Sequence, residues 1–440
     1  MRRGKVVAMA AACAAALAAG VTQGHAAVHG KRATAVISRN ANAPSSVGEA
    51  FSQDGRRVRY FAFSSAASNL VGGDTNGRLD IFLLKRHPKS GALGGDLTRV
   101  SLSSADQQGN GDSTSPSLDG DSHHRPHCVA FQSTSTNLSP ADPNPDWDVY
   151  VRNLRTGRTA LVSTRQANAT NPTIDGACET VTFASGGGVY LRDLRKGRTI
   201  HVAFGDQPVQ QADGKGVVFV HNNQVWQQRY QRVHNHGHPK IVMRGATRLV
   251  SAGRHGAGNG TSAHPSVSDN GSYVAFESTA TNLCTSACSG VSADRNGATT
   301  DIFRRSMHKR GRGMMQMASF SGKVNSQGNG PSNDAVISGA GQFIAFDSAA
   351  TNLRPSYSIR AIDPNGPTRD VYLWNSRHGG AGNVSRESRP GVKGALNGAS
   401  VAPAMSSHGN YLAFASAEVG QLDGTGQALP NILMRFLGGK

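Results

Sequence analysis

A short pattern of hydrophobic and polar positions recurs along the chain. Each copy consists of a turn that ends in Gly, as in Asp119-Gly120 and Asn270-Gly271, followed by an alternating apolar strand that ends in Phe. The phenylalanines that end these strands are Phe63, Phe131, Phe183, Phe219, Phe276, Phe346 and Phe414. A turn of this type before such a run is a strong hairpin signal, so the pattern predicts a hairpin at each copy.

Each hairpin belongs to a larger repeated unit. A further strand follows it, as in Asp148-Val149-Tyr150, then a closing strand such as Ala160–Ser163, and a short strand such as Pro265–Ser268 precedes the turn. The phenylalanines lie 36 to 70 residues apart, which fits four-stranded blades with loops of different length. The fold class predicted is all-β, a β-propeller of seven four-stranded blades, with six or eight blades as the alternatives.

The two ends of the chain complement each other. The last unit ends at Leu429–Arg435 without a closing strand, whereas Thr34–Ser38 matches a closing strand and precedes the first complete unit. We therefore expect the N-terminal strand to complete the last blade and close the ring, which would leave no exposed sheet edge there.

The repeat that begins at Pro265, PSVSDNGSYVAFESTATNL followed by DIF at 301–303, resembles the repeat of TolB-type, WD40-like bacterial β-propellers. The resemblance covers nearly all of the chain after the first residues. It implies a propeller that serves as a binding platform and is specific for the fold, not for one function.

The N-terminus has the pattern of a signal peptide. Met1–Lys5 is basic, Val6–Ala19 is apolar, and Gly24-His25-Ala26 fits a cleavage site. We predict a signal peptide over residues 1–26, a single propeller domain over 27–440, and a periplasmic or secreted, monomeric protein. The rest of the chain contains no apolar run of the roughly 18 to 20 residues that a membrane span needs.

Four cysteines remain after the predicted cleavage: Cys128, Cys178, Cys284 and Cys288. Disulfides are expected in an oxidising compartment. The short loop favours a Cys284–Cys288 pair, and Cys128–Cys178 is a second candidate that requires two neighbouring blades to meet. Buried free thiols are the alternative.

The chain is strongly basic, with 46 Lys and Arg against 28 Asp and Glu and a formal charge of +18. Such a chain is attracted to anionic surfaces. An envelope protein or an anionic polysaccharide is the expected partner. Specific nucleic-acid binding is not expected, because the sequence contains no nucleic-acid-binding motif.

Two sets of loops are predicted to share one face of the ring. They are the loops after the second strands, which contain Asn-Leu pairs such as Asn137-Leu138, and the inter-blade links with Gly-Asn-Gly, such as Gly109–Gly111. Because the chain runs up and down each blade, both sets emerge on the same side. This loop-rich face is the expected functional face.

Acidic stretches in the second-strand loops suggest calcium. Each places Asp-x-Asn before a further Asp, and such a loop brings several oxygens around one point. The candidate ligands are Asp74, Asn76 and Asp80; Asp142, Asn144 and Asp148; Asp294, Asn296 and Asp301; and Asp363, Asn365 and Asp370. The alternative is that Asp and Asn only build hydrogen-bonded turns.

Other groupings favour structural interpretations. Two groups of histidines are interpreted first as solvated surface segments, and binding of zinc or copper is the less favoured alternative. They are His123, His124 and His127, and the run His234–His238. The basic stretch from Arg304 and Arg305 to Lys309, Arg310 and Arg312 is expected to be an exposed hairpin loop.

The sequence contains no nucleophile elbow, His-Glu-x-x-His motif or P-loop, so a non-catalytic role is favoured. We predict a secreted or periplasmic binding propeller with a protein or polysaccharide ligand on the loop-rich face and structural calcium in the Asp-x-Asn loops. The alternative is a carbohydrate-active lyase or hydrolase, which requires carboxylates, His or Arg from different blades to converge in the central channel.

Overall fold

The computed structural model describes most of the chain after the first residues. The described residues are 34–38, 41–46, 48, 51–54, 58–86, 93–142, 144–235, 238–284, 294–308, 315–321, 325–353, 365–377, 383–388, 398–417 and 430–438. The predicted signal peptide lies outside them. The residues that the structure describes contain no helix long and apolar enough to cross a membrane.

The described residues form seven antiparallel, four-stranded blades, which confirms the predicted propeller. Blade 1 contains β2 (Ser45–Ser46), β3 (Tyr60–Ser65), β4 (Asp80–Arg86) and β5 (Gly95–Arg99). Blade 2 contains β6 (Ser113–Leu118), β7 (Cys128–Ser133), β8 (Asp148–Asn153) and β9 (Thr159–Leu161). Blade 3 contains β10 (Thr170–Ile174), β11 (Thr180–Ser185), β12 (Gly188–Asp193) and β13 (Arg198–Phe204).

The remaining blades follow the same order. Blade 4 contains β14 (Asp206–Gln210), β15 (Gly216–His221), β16 (Gln224–Asn235) and β17 (His238–Leu249). Blade 5 contains β20 (Ser262–Val267), β21 (Tyr273–Ser278), β22 (Asp301–Ser306) and β23 (Met315–Met317). Blade 6 contains β26 (Ser332–Ile337), β27 (Phe343–Ser348), β28 (Asp370–Asn375) and β29 (Asn383–Arg386). Two-stranded ribbons lie in the links, β18 (Ala252–Gly253) with β19 (Gly256–Ala257), and β24 (Phe320–Ser321) with β25 (Ser326–Gln327).

Blade 7 closes the ring. It contains β30 (Ser400–Met405), β31 (Tyr411–Ser416) and β32 (Asn431–Phe436), and its fourth strand is the N-terminal β1 (Thr34–Val36). Val36 pairs with Leu433, and the Ile37 N–H donates to the Ile432 carbonyl over 2.7 Å. The predicted closure by the N-terminal strand is therefore confirmed.

The repeated phenylalanines form the core between the blades. All seven that the pattern singled out are buried, with exposures of 0 to 2%. In five blades this ring stacks on the aromatic residue opposite it on the third strand, as Phe131 does on Tyr150 at 5.8 Å between ring centroids. The stacked rings fill the space between neighbouring sheets in these blades.

One disulfide ties two blades together. Cys128 of β7 is bonded to Cys178 in the turn between β10 and β11, with 6.1 Å between the Cα atoms. The second of the two candidate pairs is thus present. Cys284 is buried, and its candidate partner Cys288 lies outside the described residues.

Candidate ligand site at the mouth of the central cavity

The two loop sets of the loop-rich face are in direct contact, as predicted. The Asn110 N–H donates to the Asn137 side-chain oxygen at 3.0 Å, and the Asn137 amide donates to the Gln108 carbonyl at 2.8 Å. The same clasp joins Asn259 to Asn282 and Asn329 to Asn352. These asparagines therefore hold each link against the adjacent second-strand loop.

The opposite end of the ring is constricted by backbone contacts. The turns that follow the inner strands are hydrogen-bonded to one another, from Gly120 to Gly176, from Gly176 to Ala212, from Asp213 to Asp269, from Asp269 to Gly339 and from Gly339 to Ser407, over 2.8 to 3.0 Å. A Cβ on Gly176 would lie 2.7 Å from the Asp121 Cβ, so a side chain does not fit there. The inner strands converge at this end because the turns that follow them are in direct main-chain contact with one another.

A cavity of about 560 Å³ lies between the inner strands. Its lining extends from the turn residues Ala212, Asp269 and Gly339 to the residues at the start of the inner strands on the loop-rich face. This volume is within the range of small-molecule sites, about 300 to 1,000 Å³.

A ring of bulged residues surrounds the mouth of this cavity. In blades 2 to 7 one residue of the inner strand has φ between 44° and 53°, and the register of the inner strand shifts at that point. The residues are Ser115, Asn171, Gln207, His264, Asp334 and Ala402, and all six line the cavity. Five of them precede Pro, which cannot donate to the neighbouring strand and is accommodated at a bulge.

Side chains bridge neighbouring blades at the mouth. The Gln132 side chain accepts the Asn171 N–H at 2.8 Å, and the Gln207 side chain accepts the His264 N–H, also at 2.8 Å. The bridging groups between the last blades are carboxylates, namely Glu277 and Asp347. The mouth is therefore wider than the opposite end and is lined by polar groups.

Three ionisable groups from blades 5 and 6 converge at the mouth. The His264 Nδ1 lies 2.6 Å from Glu277 Oε1, and the Asp334 N–H donates to Glu277 Oε2 at 3.1 Å. One ligand atom from each of His264, Glu277 and Asp334 lies within 4.8 Å of the other two. The hydrogen bond to Glu277 raises the pKa of His264, and the Asp334 charge acts in the same direction.

A second pair of charges stands beside this cluster. The Asp347 carboxylate forms an ion pair with Arg369 and accepts the Ala402 N–H at 3.3 Å. Burial, followed by the nearby Asp334 carboxylate, raises the pKa of Asp347, and Arg369 opposes this. Glu277, Asp334 and Asp347 thus place three carboxylates on one side of the mouth, although the whole chain carries +18.

An aromatic step lies on the loop-rich face of blade 3, formed by residues of its two outer strands, β12 and β13. The His201 ring packs edge-on against Tyr190 at 5.3 Å and against Phe204 at 5.0 Å. Phe204 is 70% exposed, the exposed large hydrophobic residue of the described chain. It stands two residues before Asp206, whose carboxylate receives the Asn171 amide at 3.4 Å. A Cβ on Gly188 would lie 3.0 Å from the Tyr190 ring, so glycine permits the close stacking.

The loops after the second strands of blades 3 and 4, next to this aromatic step, are short. Only two residues separate β11 from β12 and β15 from β16, whereas the corresponding loop of blade 2 spans residues 134–147. A ligand therefore has an open approach to the mouth across these two blades.

The first Asp-x-Asn loop is brought together around an arginine. Arg99 lies 3.2 Å from Asp74 and 3.5 Å from Asp80, and the Asn76 amide donates to Asp80 at 3.1 Å. Gln108 donates to Asp74 at 2.9 Å. Burial, as the main cause, raises the pKa of Asp80.

The second loop also converges, with a different set of partners. Asp142 accepts the Tyr150 hydroxyl and, at 3.1 Å, the Asn144 N–H. The Asp148 carboxylate accepts the Ser163 hydroxyl. Burial, followed by the charges of Asp142 and Asp146, raises the pKa of Asp148.

The third loop is held by a glutamine. Gln327 donates to Asp294 at 2.9 Å and to Asp301 at 2.8 Å, while Asn296 donates to the Gly328 carbonyl. Burial raises the pKa of Asp301 to about 7.

In the fourth loop, Asp370 accepts the Ser388 hydroxyl at 2.6 Å and pairs with Arg386 at 3.1 Å. Asn365 lies in the turn before it, and Asp363 is outside the described residues. In each loop the described Asp residues are hydrogen-bonded, and calcium in these loops stays a prediction.

Arg304 and Arg305 differ from the sequence interpretation, because both lie in β22. Arg304 is buried in β22, not in an exposed loop, and its guanidinium stacks at 3.8 Å over the Tyr273 ring. The prediction for Arg304 was wrong because the apolar stem and planar head of Arg pack well on aromatic faces. Lys309, Arg310 and Arg312 are outside the described residues. His127 lies 3.1 Å from Asp119 and close to Cys128 and Cys178, but the disulfide removes both thiols as metal ligands.

Sequence reasoning did not single out His264, Glu277, Asp334 or Asp347. Two of them occupy the bulge position of the inner strand, and the other two directly follow the repeated Phe. The other blades carry neutral residues at the same two positions of the repeat. Examples are Ser115 and Ala402 at the bulge, and Gln132 and Ala415 after the Phe. That departure from the repeat is the signal by which the cluster could have been found.

No protein-family model and no curated protein matches the sequence. Solved structures with a similar fold include oligogalacturonate lyase in complex with manganese, at 12% identity over 94% of this chain and 98% of that chain, with a TM-score of 0.49. Oligogalacturonate lyase from Vibrio parahaemolyticus matches at 11% identity over 93% and 98%, with a TM-score of 0.46. TolB from Acinetobacter baumannii matches at 15% identity over 71% and 65%, with a TM-score of 0.35. The resemblance to TolB-type propellers holds at the level of the fold alone.

Proposed function

We propose that this protein is a binding propeller that holds a neutral saccharide at the mouth of its central cavity. The observation that carries the proposal is the cavity of about 560 Å³, narrow at the turn end and opening among polar side chains on the loop-rich face. Closed-ended cavities of this size with a few convergent polar groups are typical ligand sites.

The chemistry of the rim supports the saccharide class. Sugar rings present hydroxyls at their edges and C–H groups on their faces. The amides of Asn171 and Gln207 and the carboxylates opposite supply hydrogen-bonding groups for the hydroxyls. The exposed ring of Phe204, held by His201 and Tyr190, supplies a flat apolar surface for a sugar face.

The charge of the mouth favours a neutral ligand over an anionic one. Glu277, Asp334 and Asp347 stand on one side of it, and Arg369 is already paired with Asp347. Like charges brought together at an interface are unfavourable. An anionic polysaccharide or an envelope protein, as expected from the net charge, would be held on other, basic parts of the surface.

Titration calorimetry with a panel of neutral and acidic oligosaccharides tests the proposal. We expect heat from a neutral member, and about tenfold weaker binding by Phe204→Ala, whereas Phe204→Tyr should retain the affinity because it keeps the ring. The control is Arg195→Ala, an exposed change in the turn at the other end of blade 3. Binding of acidic sugars alone, or equal binding by Phe204→Ala, would refute the proposal.

A carbohydrate-active lyase or hydrolase is the second candidate, favoured by one observation. His264, Glu277 and Asp334 come together at the mouth from blades 5 and 6, and Arg369 pairs with Asp347, which lies near Asp334. This arrangement supports the convergence of ionisable groups from different blades that such an enzyme requires. A His hydrogen-bonded to a carboxylate is suited to general acid and base catalysis. Mass spectrometry of the same sugars after long incubation separates the two functions, since only an enzyme shortens them.

A further inference from the structure

The bulge residues of blades 5 and 6 bring an imidazole and two carboxylates together in a way that the other blades do not. His264 comes from β20, Glu277 from β21 and Asp334 from β26, with one ligand atom of each within 4.8 Å of the others. We propose that His264, Glu277 and Asp334 bind a divalent transition-metal ion, with Zn²⁺ as the representative. This goes beyond saccharide binding and does not depend on it.

The donor set fits such an ion. One imidazole nitrogen with carboxylate oxygens suits zinc and similar metals, whereas calcium takes oxygen ligands only. Metal–ligand distances of about 2.0 to 2.2 Å place neighbouring ligand atoms some 3 to 3.5 Å apart. A bound ion requires the three ligand atoms to come closer than 4.8 Å, and the His264 and Asp334 side chains are exposed at the mouth, where they are free to rotate.

Of the three groups, the Asp334 carboxylate is available to a metal without the loss of a contact, whereas His264 and Glu277 are hydrogen-bonded to each other. The Asp334 carboxylate makes no hydrogen bond or ion pair with any residue that the structure describes, although its own N–H is bonded to Glu277. That backbone contact orients Glu277, as outer hydrogen bonds commonly orient metal ligands. Three protein ligands beside a cavity also leave a coordination position open to water or a ligand.

Comparison among the blades supports a metal site over the alternative that these three residues are needed to form the bulge in every blade. The blade 6 to blade 7 junction repeats the same backbone contact, from the Ala402 N–H to Asp347, but Ala402 offers no ligand. The junction of blades 2 and 3 repeats it with Gln132 and Asn171, which are neutral amides. The bulge therefore forms without ionisable residues, and the fold does not require His264, Glu277 or Asp334 at these positions.

The experiment uses the full protein after dialysis against a chelator. Zn²⁺, Mn²⁺ and Ca²⁺ are titrated separately by calorimetry, without sugar, and bound metal is counted by mass spectrometry. We expect one Zn²⁺ per chain, and at least about tenfold weaker binding by His264→Ala and by Asp334→Asn. Asp206→Asn, which changes another carboxylate at the mouth, is the matched control and should bind normally.

The outcome is unambiguous because Asp334 is exposed and its side chain holds nothing in place, so Asp334→Asn should fold. Absence of stoichiometric Zn²⁺ binding, or its retention in the His264→Ala, Asp334→Asn double variant, would overturn the proposal; retention would place the metal elsewhere, for instance on the His234–His238 run. Sugar titrations repeated in EDTA test the saccharide proposal separately, so either can fail alone.

Discussion

At the scale of single residues, Asp148 occupies a position of the repeat that holds a charged residue in one blade and a neutral one in another. It accepts the Ser163 hydroxyl at the start of β8, and in blade 7 the equivalent contact is made by Asn431, which accepts the Ser38 hydroxyl at 2.9 Å. Burial and the nearby charges of Asp142 and Asp146 raise the pKa of Asp148, so its ionised form is unfavourable in the folded state. A neutral amide already serves at this position in the fold.

We therefore expect Asp148→Asn to stabilise the protein at pH 7 in the presence of EDTA. An acid whose folded pKa is raised contributes stability below its unfolded pKa, near 4, and that contribution is lost as the pH rises through the folded pKa. Asn does not titrate, so the variant loses no stability in this way. The difference between its thermal midpoint and that of the parent protein should therefore grow between pH 4 and 7. Each pKa unit is worth about 1.4 kcal/mol, or a few degrees at most. A variant that melts lower than the parent protein at pH 7 in EDTA would contradict the argument.

The residues of the mouth also show where sequence reasoning ends. The position of the bulge is visible as Ser-x-x-Pro or Asn-Pro in the inner strands, and the Phe anchors fix which residue follows them on the second strand. The distance between His264 and Asp334 is not visible, because it depends on how closely two blades separated by a long loop approach each other. Only the packing around the axis determines that distance.

At the scale of single elements, the Asp-x-Asn loops differ in the side chains that already lie beside their carboxylates. Gln108 donates to Asp74 and Asp80 in blade 1, as Gln327 does to Asp294 and Asp301 in blade 5. Blade 1 has in addition Arg99 beside both carboxylates, whereas Met317 stands at the equivalent position of blade 5. A cation in blade 1 would meet the charge of a buried guanidinium, and one in blade 5 would not. If calcium binds to these loops, we expect it in blade 5 first.

Thermal unfolding in EDTA and in millimolar calcium tests this expectation. A bound ion at 100 times its dissociation constant stabilises by about 2.7 kcal/mol. A rise in the midpoint that Asp294→Asn removes and Asp74→Asn leaves unchanged would support calcium in the blade 5 loop. An unchanged midpoint in calcium would show that these loops are hydrogen-bonded turns and bind no ion that stabilises the fold.

Across the elements, the strands were easier to predict than their surroundings. Alternation before Phe276 or Phe346 has period two and is local, so β21 and β27 follow directly from the residues. Arg304 was misassigned because its neighbours along the chain are basic, while the Tyr273 ring that covers it lies on the adjacent strand. A local pattern does not reveal a partner that pairing brings from elsewhere.

For the whole molecule, closure of the ring joins the two ends of the chain. The hydrophobic cluster between blades 7 and 1 contains Phe61, Phe63, Ile432 and Met434, with Ala35 of β1 packed against it. Without the N-terminal strand, β32 would present an unpaired edge, and such an edge pairs readily with other chains. We therefore expect the stability and the predicted monomeric state to depend on the same strand.

Removal of residues 1–38 should lower the thermal midpoint and cause concentration-dependent association, measured by calorimetry and sedimentation. The control lacks residues 1–26 only and keeps β1. A milder test is Ser38→Ala, because the buried Ser38 hydroxyl donates to Asn431 and accepts the Ile432 N–H, each at 2.9 Å. Leaving that N–H unpaired should cost about 1 to 3 kcal/mol. If the protein without residues 1–38 melts like the control and stays monomeric, the seven blades are held by the contacts between neighbouring sheets and not by closure through β1.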